Sequence, residues 1–289
     1  CFVRQALDAC RMITADEALI QSLLSRVLAL LSARKLDVPP PVIVAEIHRL
    51  IRAELGKDDP YEALKKRSTE KALELSESAT KMIAQSKDPF AAAVRFAIAG
   101  NILDFGAKTQ WDEKRVLHSF YQALDKNIPQ DKTDALRCRL EKANTVLVLG
   151  DNAGEAVFDR ILIENFPGRP KVYYAVKGSA VINDVTAKDA LDAGLRAVAD
   201  ILPNGTDIPG TWLESCSPEF RRVFDSADVV ISKGQGNFES LGETNREVFF
   251  LLQIKCESLG KRNGCSVGDW VVASRGGQAN TLTGKDAAV

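Results

Sequence analysis

The chain has 289 residues, of which 45% are hydrophobic and 27% charged, and its net charge is −1. This composition predicts a globular protein that buries its own core without disulfides or a structural metal. The small net charge gives no support to binding of nucleic acid or an anionic membrane, and no apolar run approaches the ~20 residues that span a bilayer. We expect a cytoplasmic protein with reduced thiols, because no secretory signal is found and the six cysteines show no C-x-x-C or zinc-type spacing.

The first part of the chain, residues 1–125, predicts a helical domain, because Ala, Leu, Arg, Lys and Glu dominate and strand formers rarely alternate. Apolar residues recur at helical spacing over 19–31. Thr14 and Glu17 form a predicted capping box ahead of this helix, and the prolines at 39–41 end it. Two further helices are predicted, over 42–55 and over 90–102.

From residue 145 onward, short runs rich in Val and Ile alternate with helical segments. Strands separated by helices of this length indicate βαβ crossovers and a mostly parallel sheet, so the second part belongs to the α/β class. The predicted strands are 146–149, 172–176, 197–202, 229–231 and 248–254, with 270–273 as a final candidate.

A carboxylate and an amide follow the first predicted strand directly. Gly150 ends the strand, Asp151 and Asn152 come next, and Gly154 opens a helix. In a parallel sheet this order places oxygen ligands suited to Mg²⁺ at the edge where ligands bind. The alternative that Asp151 only caps the helix stays open here. The segment lacks the glycine and lysine patterns of P-loops and dinucleotide sites.

Two later strands also end in polar segments. Asn183 and Asp184 follow the second strand, and although either can cap the next helix, Asp184 is expected to reach the same crevice as Asp151. Lys233 ends the fourth strand, where a lysine suits a phosphate group. The glycines that follow, within 231–243, would let backbone amides bind an anion, and the alternative is a flexible surface loop.

The helical part contributes polar residues of its own. Gly100, Asn101 and Asp104 interrupt an apolar segment, which favours either a role at the site or a capping role. His48 and His118 have no carboxylate at metal-ligand spacing, so we expect no catalytic role for them.

The motifs GDNAGE (150–155), INDVT (182–186) and SKGQGNFE (232–239) together resemble those of the damage-control phosphatases. CFVRQALDA (1–9) and DPYEALKK (59–66) are similar to the stand-alone prokaryotic branch, which often carries an N-terminal cysteine pair where this chain has only Cys1. The resemblance covers most of the chain. It implies a Rossmann-like three-layer αβα domain over 126–289, carrying the metal site, beside an all-α helical domain over 1–125.

The same resemblance implies a metal-dependent phosphatase that hydrolyses small phosphometabolites, such as sugar phosphates or damaged cofactor intermediates. Its cofactor would be a divalent cation (Mg, Mn, Co or Ni), and its partner a small phosphorylated substrate rather than nucleic acid or a membrane. The implied metal ligands are Asp151, Asn152 and Asp184. The implied catalytic residues are Asp151, Asp184 and Lys233, and the implied substrate-binding residues are Asn101, Asp104, Glu155, Lys233, Gly234, Gly236 and Asn237.

Two other classes of function stay open at this point. An S-adenosylmethionine-dependent carboxyl methyltransferase, also proposed for one branch of this family, would fit glycine-rich strand ends, but that cofactor needs no cation cluster. A non-catalytic module would bind a phosphometabolite at a similar site without releasing phosphate. The sequence does not decide between water and Asp151 as the nucleophile, and it does not identify the substrate or the oligomeric state.

Overall fold

A computed structural model of the chain describes residues 2–34, 40–101, 121–122, 125–242, 244–276 and 287–288. The described part before the first strand is mainly helical. Its helices are α1 (Phe2–Ile13), α2 (Glu17–Ser32), α3 (Pro40–Leu55), α4 (Glu62–Gln85), α5 (Pro89–Gly100) and α6 (Gln130–Lys142). None of the described helices is long and apolar enough to cross a bilayer.

The start of α2 differs from the predicted capping box. Asp16 is the N-cap, and its Oδ1 accepts hydrogen bonds from the backbone N–H groups of Ala18 and Leu19 at 3.0 and 3.1 Å. Thr14 Oγ1 instead accepts a hydrogen bond from the N–H of Asp16 at 3.1 Å. The Thr14 prediction was wrong because Asp16, itself a strong capping residue, directly precedes the helix.

In the described residues, the second part of the chain forms a sheet of seven strands in the order β3-β2-β1-β4-β5-β6-β7. Strands β1 to β5 run parallel, and β6 and β7 are antiparallel to their neighbours. The strands are β1 (Thr145–Leu149), β2 (Lys171–Val176), β3 (Asp200–Pro203), β4 (Val229–Lys233), β5 (Val248–Gln253), β6 (Trp270–Arg275) and β7 (Ala287–Ala288).

Helices alternate with these strands and cover both faces of the sheet. They are α7 (Ala156–Glu164), α8 (Ala187–Asp192), α9 (Pro218–Ser226), α10 (Gly234–Ser240) and α11 (Glu257–Asn263). The predicted Rossmann-like three-layer fold, with a mostly parallel sheet and an N-terminal helical part, is confirmed. The third strand begins at Asp200 rather than at the predicted residue 197, because residues 195–197 form a 3₁₀ turn.

The two faces of the sheet bury two separate apolar cores, as the alternation of side chains along a strand requires. Val146 and Val148 point into a core shared with α4, α5, α6 and α7. Leu147 and Leu149 point into the opposite core, which contains Phe220 of α9. Helices α1 to α3 pack around a third core of their own. The helical part therefore supplies one of the layers that cover the sheet.

Lys65, on α4, is a buried lysine that joins the helical part to the α/β part. Its Nζ lies 2.6 Å from Asp59 Oδ2 and 2.6 Å from Asp189 Oδ2. Asp189 also accepts hydrogen bonds from the backbone N–H and the hydroxyl of Thr186, at 2.8 and 2.6 Å. One ammonium thus connects α4 to the first turn of α8.

We predict that Lys65→Met lowers the free energy of unfolding by about 3 kcal/mol, because it leaves two carboxylates without their counter-charge. Lys66→Met is the matched control, since Lys66 is exposed and lies 4.0 Å from Glu70. That variant should change the free energy of unfolding by less than about 0.5 kcal/mol. Urea unfolding measures both, and equal values for the two variants would contradict a stabilising role for the Lys65 ion pairs.

Candidate functional site

Backbone hydrogen bonds join the loop after β1 to the loop after β2. The N–H of Ala153 donates to the carbonyl of Asn183 at 3.0 Å, and the N–H of Val185 donates to the carbonyl of Asp151 at 2.9 Å. Asn152 and Asp184 are therefore paired across the two loops. The structure thus brings Asp151, Asn152 and Asp184 together at the carboxyl ends of neighbouring parallel strands.

Neither acid serves as a helix cap, which was the alternative for each of them. The N-cap of α7 is Glu155, and the N-cap of α8 is Thr186, which forms a capping box with Asp189. The carboxylates of Asp151 and Asp184 are consequently left for other partners. The backbone two residues before Asp184 is strained, because Ile182 has a φ of 47°, a left-handed value that a β-branched residue rarely adopts.

Two amides and a glutamate surround the Asp151 carboxylate. Asn101 Nδ2 donates to Asp151 Oδ2 and to Glu155 Oε2, both at 2.7 Å. Asn152 Nδ2 donates to the same two oxygens at 2.9 and 3.2 Å. Burial, together with the nearby Glu155 and Asp184 carboxylates, raises the pKa of Asp151 to about 8. The ionised form of Asp151 is therefore disfavoured at this edge unless further positive charge offsets it.

Asn101 has a second feature that bears on ligand binding. It is buried, and its Oδ1 has no hydrogen-bond partner among the described residues. An unpaired acceptor in a buried position is costly unless a ligand or water donates to it. Asp104, also predicted to bind substrate, lies outside the described residues, as does His118.

Lys233 lies at the end of β4 and is completely buried, so the alternative of a solvated lysine on a flexible loop was wrong. Its Nζ donates to the carbonyl of Ala97 at 2.9 Å, to Asp159 Oδ1 at 2.6 Å and to Glu155 Oε1. Burial alone would lower the pKa of this lysine, but the Asp159 and Glu155 carboxylates raise it above its usual value. All three ammonium hydrogens therefore have protein acceptors.

Asp159 extends this buried network away from the crevice. Its Oδ2 accepts a hydrogen bond from the hydroxyl of Tyr174 at 2.7 Å. Burial raises the pKa of Asp159 to about 6, although the charge of Lys233 opposes the shift. Elements far apart in the chain, α5, α7, β2 and β4, are thus joined beneath the site by charged and polar side chains.

The glycine-rich segment after Lys233 forms helix α10, so the alternative of a flexible surface loop was wrong. Gly234 has a φ of +77°, and a Cβ at this position would overlap the Asp151 carboxylate. Asn237 Nδ2 donates to the carbonyls of Gly150 and Lys233, at 3.1 and 2.8 Å. These bonds hold the ends of β1 and β4 together. Gly236 packs against Gly210 of a neighbouring loop, and its carbonyl accepts a hydrogen bond from the hydroxyl of Ser240 within α10 at 3.0 Å.

Lys177, at the end of β2, is a residue of the site that the sequence analysis did not single out. It is buried, its Nζ lies 3.5 Å from Asp184 Oδ2, and it donates to the carbonyls of Ile208, at 2.9 Å, and Gly210. Its position directly after a buried strand, like that of Lys233, was the signal that could have identified it.

Two arginines of α3 also contact the loops near the site, and no sequence motif had pointed to these arginines. Arg49 Nε and Arg52 Nη2 donate to Asp207 Oδ2 at 2.8 and 2.7 Å, and Arg52 also donates to the carbonyl of Ala180. Burial alone would raise the pKa of Asp207, but these hydrogen bonds hold it below its usual value. His48 of the same helix bonds the Tyr61 hydroxyl at 3.1 Å, away from these contacts.

The comparisons with known proteins agree on one family. The family model described as "Damage-control phosphatase ARMT1-like domain" matches residues 1–271. An uncharacterized protein of Methanocaldococcus jannaschii is 32% identical over 289 residues, covering 95% of this chain and 93% of its own. A damage-control phosphatase of Archaeoglobus fulgidus is 31% identical over 277 residues, covering 94% and 95%.

Pyrococcus horikoshii supplies a related sequence and a related crystal structure. Its damage-control phosphatase is 36% identical over 210 residues, which cover 72% of this chain and 71% of that protein. The crystal structure of a DUF89 family protein from the same organism superposes with a TM-score of 0.83 at 31% sequence identity. That match covers 94% of this chain and 95% of the other.

We predict that Gly234→Ala lowers the free energy of unfolding by at least about 2 kcal/mol, because the added Cβ meets the Asp151 carboxylate and the positive φ disfavours alanine. Gly242→Ala is the control, since a Cβ there has its nearest neighbours at 3.4 Å and no positive φ. It should stay within about 1 kcal/mol of the wild type. Chemical denaturation checks both, and a Gly234→Ala variant as stable as Gly242→Ala would refute the close approach.

The raised pKa values of Asp151 and Asp159, about 8 and about 6, predict a pH dependence of stability. Because the folded chain keeps protons that the unfolded chain loses near pH 4, this contribution to stability is present at low pH and is lost as the pH rises to 8. Thermal unfolding of chelator-treated protein should therefore show a midpoint that falls between pH 5 and pH 8. Asp151→Asn should reduce that fall, and an identical fall in the variant would speak against Asp151 as its source.

Proposed function

Because the chain belongs to the damage-control phosphatase ARMT1-like family, we propose that it hydrolyses phosphomonoesters of small metabolites with the help of a divalent cation. Sugar phosphates and damaged cofactor intermediates are the substrate classes that the resemblance implies. The observation that carries the proposal is the pairing of the loops after β1 and β2. That pairing gathers two carboxylates and an amide from separate segments at one edge of the sheet.

The donor set fits a hard divalent cation. Asp151, Asn152 and Asp184 offer carboxylate and amide oxygens, which are the ligands that Mg²⁺ and Mn²⁺ prefer. The described residues contain no group of three or more His, Cys, Asp or Glu side chains placed to hold a metal. The proposed set differs from such groups because one of its three members is an amide. A cation bound there would supply positive charge that offsets the charge of the reacting phosphate.

The surrounding residues orient the proposed ligands. Asn101 and Asn152 both donate to Asp151 Oδ2, so that oxygen is held in place while the carboxylate can bind through its other oxygen. Glu155 accepts from the same two amides and is itself held by Lys233. Such preorganisation reduces the reorganisation that the site must undergo when charge develops on the substrate.

We keep Lys233 as a proposed phosphate contact, with one condition that the geometry imposes. To bind a phosphate oxygen directly, its ammonium would have to give up one of its three protein acceptors. While those bonds persist, its ammonium is paired with the Glu155 and Asp159 carboxylates beneath Asp151. Gly234 contributes by leaving room for the Asp151 carboxylate above the start of α10.

Hydrolysis transfers the phosphoryl group to water, so the ester P–O bond breaks and the leaving oxygen takes a proton. Water attacks phosphorus directly, or the Asp151 carboxylate attacks first and water then cleaves the acyl phosphate. In the first route Asp151 holds the attacking water, and in the second it is the nucleophile. Trapping of an aspartyl phosphate at Asp151 would select the second route.

The test of the proposed function is cation-dependent release of phosphate. After chelation, the wild type should regain activity toward a panel of sugar phosphates when Mg²⁺, Mn²⁺, Co²⁺ or Ni²⁺ is added. Asp151→Asn and Asp184→Asn should each lose at least ~100-fold in kcat/KM, because each removes a charged ligand. The control Asp192→Asn changes an exposed acid at the end of α8, and should stay within twofold. Full activity in either site variant would exclude the assigned ligand role.

A further inference from the structure

Lys177 presents an ammonium to the proposed cation site from the side of β2. Its Nζ lies 3.5 Å from Asp184 Oδ2, beyond ordinary hydrogen-bond distance. Two of its hydrogens go to the carbonyls of Ile208 and Gly210. Among the described residues this ammonium makes no third hydrogen bond, and its ion-pair partner is Asp184. The ammonium is therefore fixed in place with one donor directed toward the site.

The partners of Lys177 differ in charge from those of Lys233. Lys233 faces two buried carboxylates, Glu155 and Asp159, which outnumber its single charge. Lys177 faces two neutral carbonyls and, among the described residues, Asp184 as the carboxylate within ion-pair distance. Once a divalent cation neutralises Asp184, the charge of Lys177 is no longer offset by the protein. It is then available to an anion bound at the same edge.

The loop that holds Lys177 is itself held from two sides. Asp207, next to Ile208, is bonded by Arg49 and Arg52 of α3. On the other side, Gly210 has a φ of +77° and lies so close to the backbone of Gly236 that it has no room for a Cβ. The carbonyls that orient Lys177 are therefore set before any ligand arrives, which lowers the cost of ordering a flexible lysine side chain.

On the basis of the proposed function, we infer that Lys177 contacts the phosphate group of the substrate. Its positive charge serves the phosphate, whereas the charge of Lys233 is already paired with Glu155 and Asp159. A phosphate bound to a cation on Asp184 would lie next to this ammonium, whose free donor suits a phosphate oxygen. The β2 lysine thus acts as a substrate-binding residue at the site.

The test separates phosphate binding from cation binding in the 289-residue chain. Lys177→Met should raise both the KM for a sugar phosphate and the inhibition constant of inorganic phosphate by ~10- to 100-fold. Its affinity for Mn²⁺, measured by calorimetry without phosphate, should be unchanged or tighter, because a positive charge beside Asp184 is gone. Lys177→Arg keeps the charge and should recover phosphate binding to within tenfold of the wild type.

Lys171→Met is the matched control, because it removes a lysine from the opposite, exposed end of the same strand. It should leave both constants within twofold of the wild type.

If Lys177→Met does not fold, Lys177→Gln replaces it in the same measurements. Phosphate inhibition that stays unchanged, or Mn²⁺ affinity that falls in parallel with phosphate affinity, overturns the role of Lys177 alone. A wild type that neither binds phosphate with Mn²⁺ nor hydrolyses any ester overturns the proposed function as well.

Discussion

The accumulation of negative charge at one edge of the sheet is the constraint on which the rest of the site depends. Four carboxylates, those of Asp151, Glu155, Asp159 and Asp184, meet two buried lysines there. Burying unmatched charge is costly, and the chain keeps this arrangement only because amides, ammonium groups and backbone carbonyls satisfy most of it. A cation at this edge would offset the charge of these carboxylates and favour the ionised form of Asp151.

The sheet topology explains why the charge collects at this edge. In the order β3-β2-β1-β4, the chain passes from β1 to β2 and β3 on one side, and then returns to β4 on the other side of β1. In open α/β sheets, ligands bind outside the carboxyl ends of the strands at such a switch point. Asp151, Lys177 and Lys233 follow or end three adjacent strands at this same edge. The helical part contacts this edge through Arg52 of α3, Lys65 of α4 and Asn101, the C-cap of α5, which bond Asp207, Asp189 and Asp151 in turn.

The strands and the site acids were predictable from the sequence for physical reasons. Parallel strands are buried on both faces, so they appear as continuous apolar runs such as 146–149 and 229–231. Polar residues directly after such runs lie at the ligand-binding edge. The partners of Lys233 were not predictable, because Ala97, Glu155 and Asp159 lie 74 to 136 residues away along the chain. Lys177 was missed for a similar reason, since its role depends on carbonyls of a loop more than 30 residues further on.

The central claim is that Asp151, Asn152 and Asp184 surround one cation. A crystal of the protein soaked in Mn²⁺ and measured on both sides of the manganese absorption edge tests it most directly. We expect an anomalous peak about 2.2 Å from an oxygen of each of these side chains. A peak elsewhere, or a fully soaked crystal without a peak at this edge of the sheet, would contradict the account.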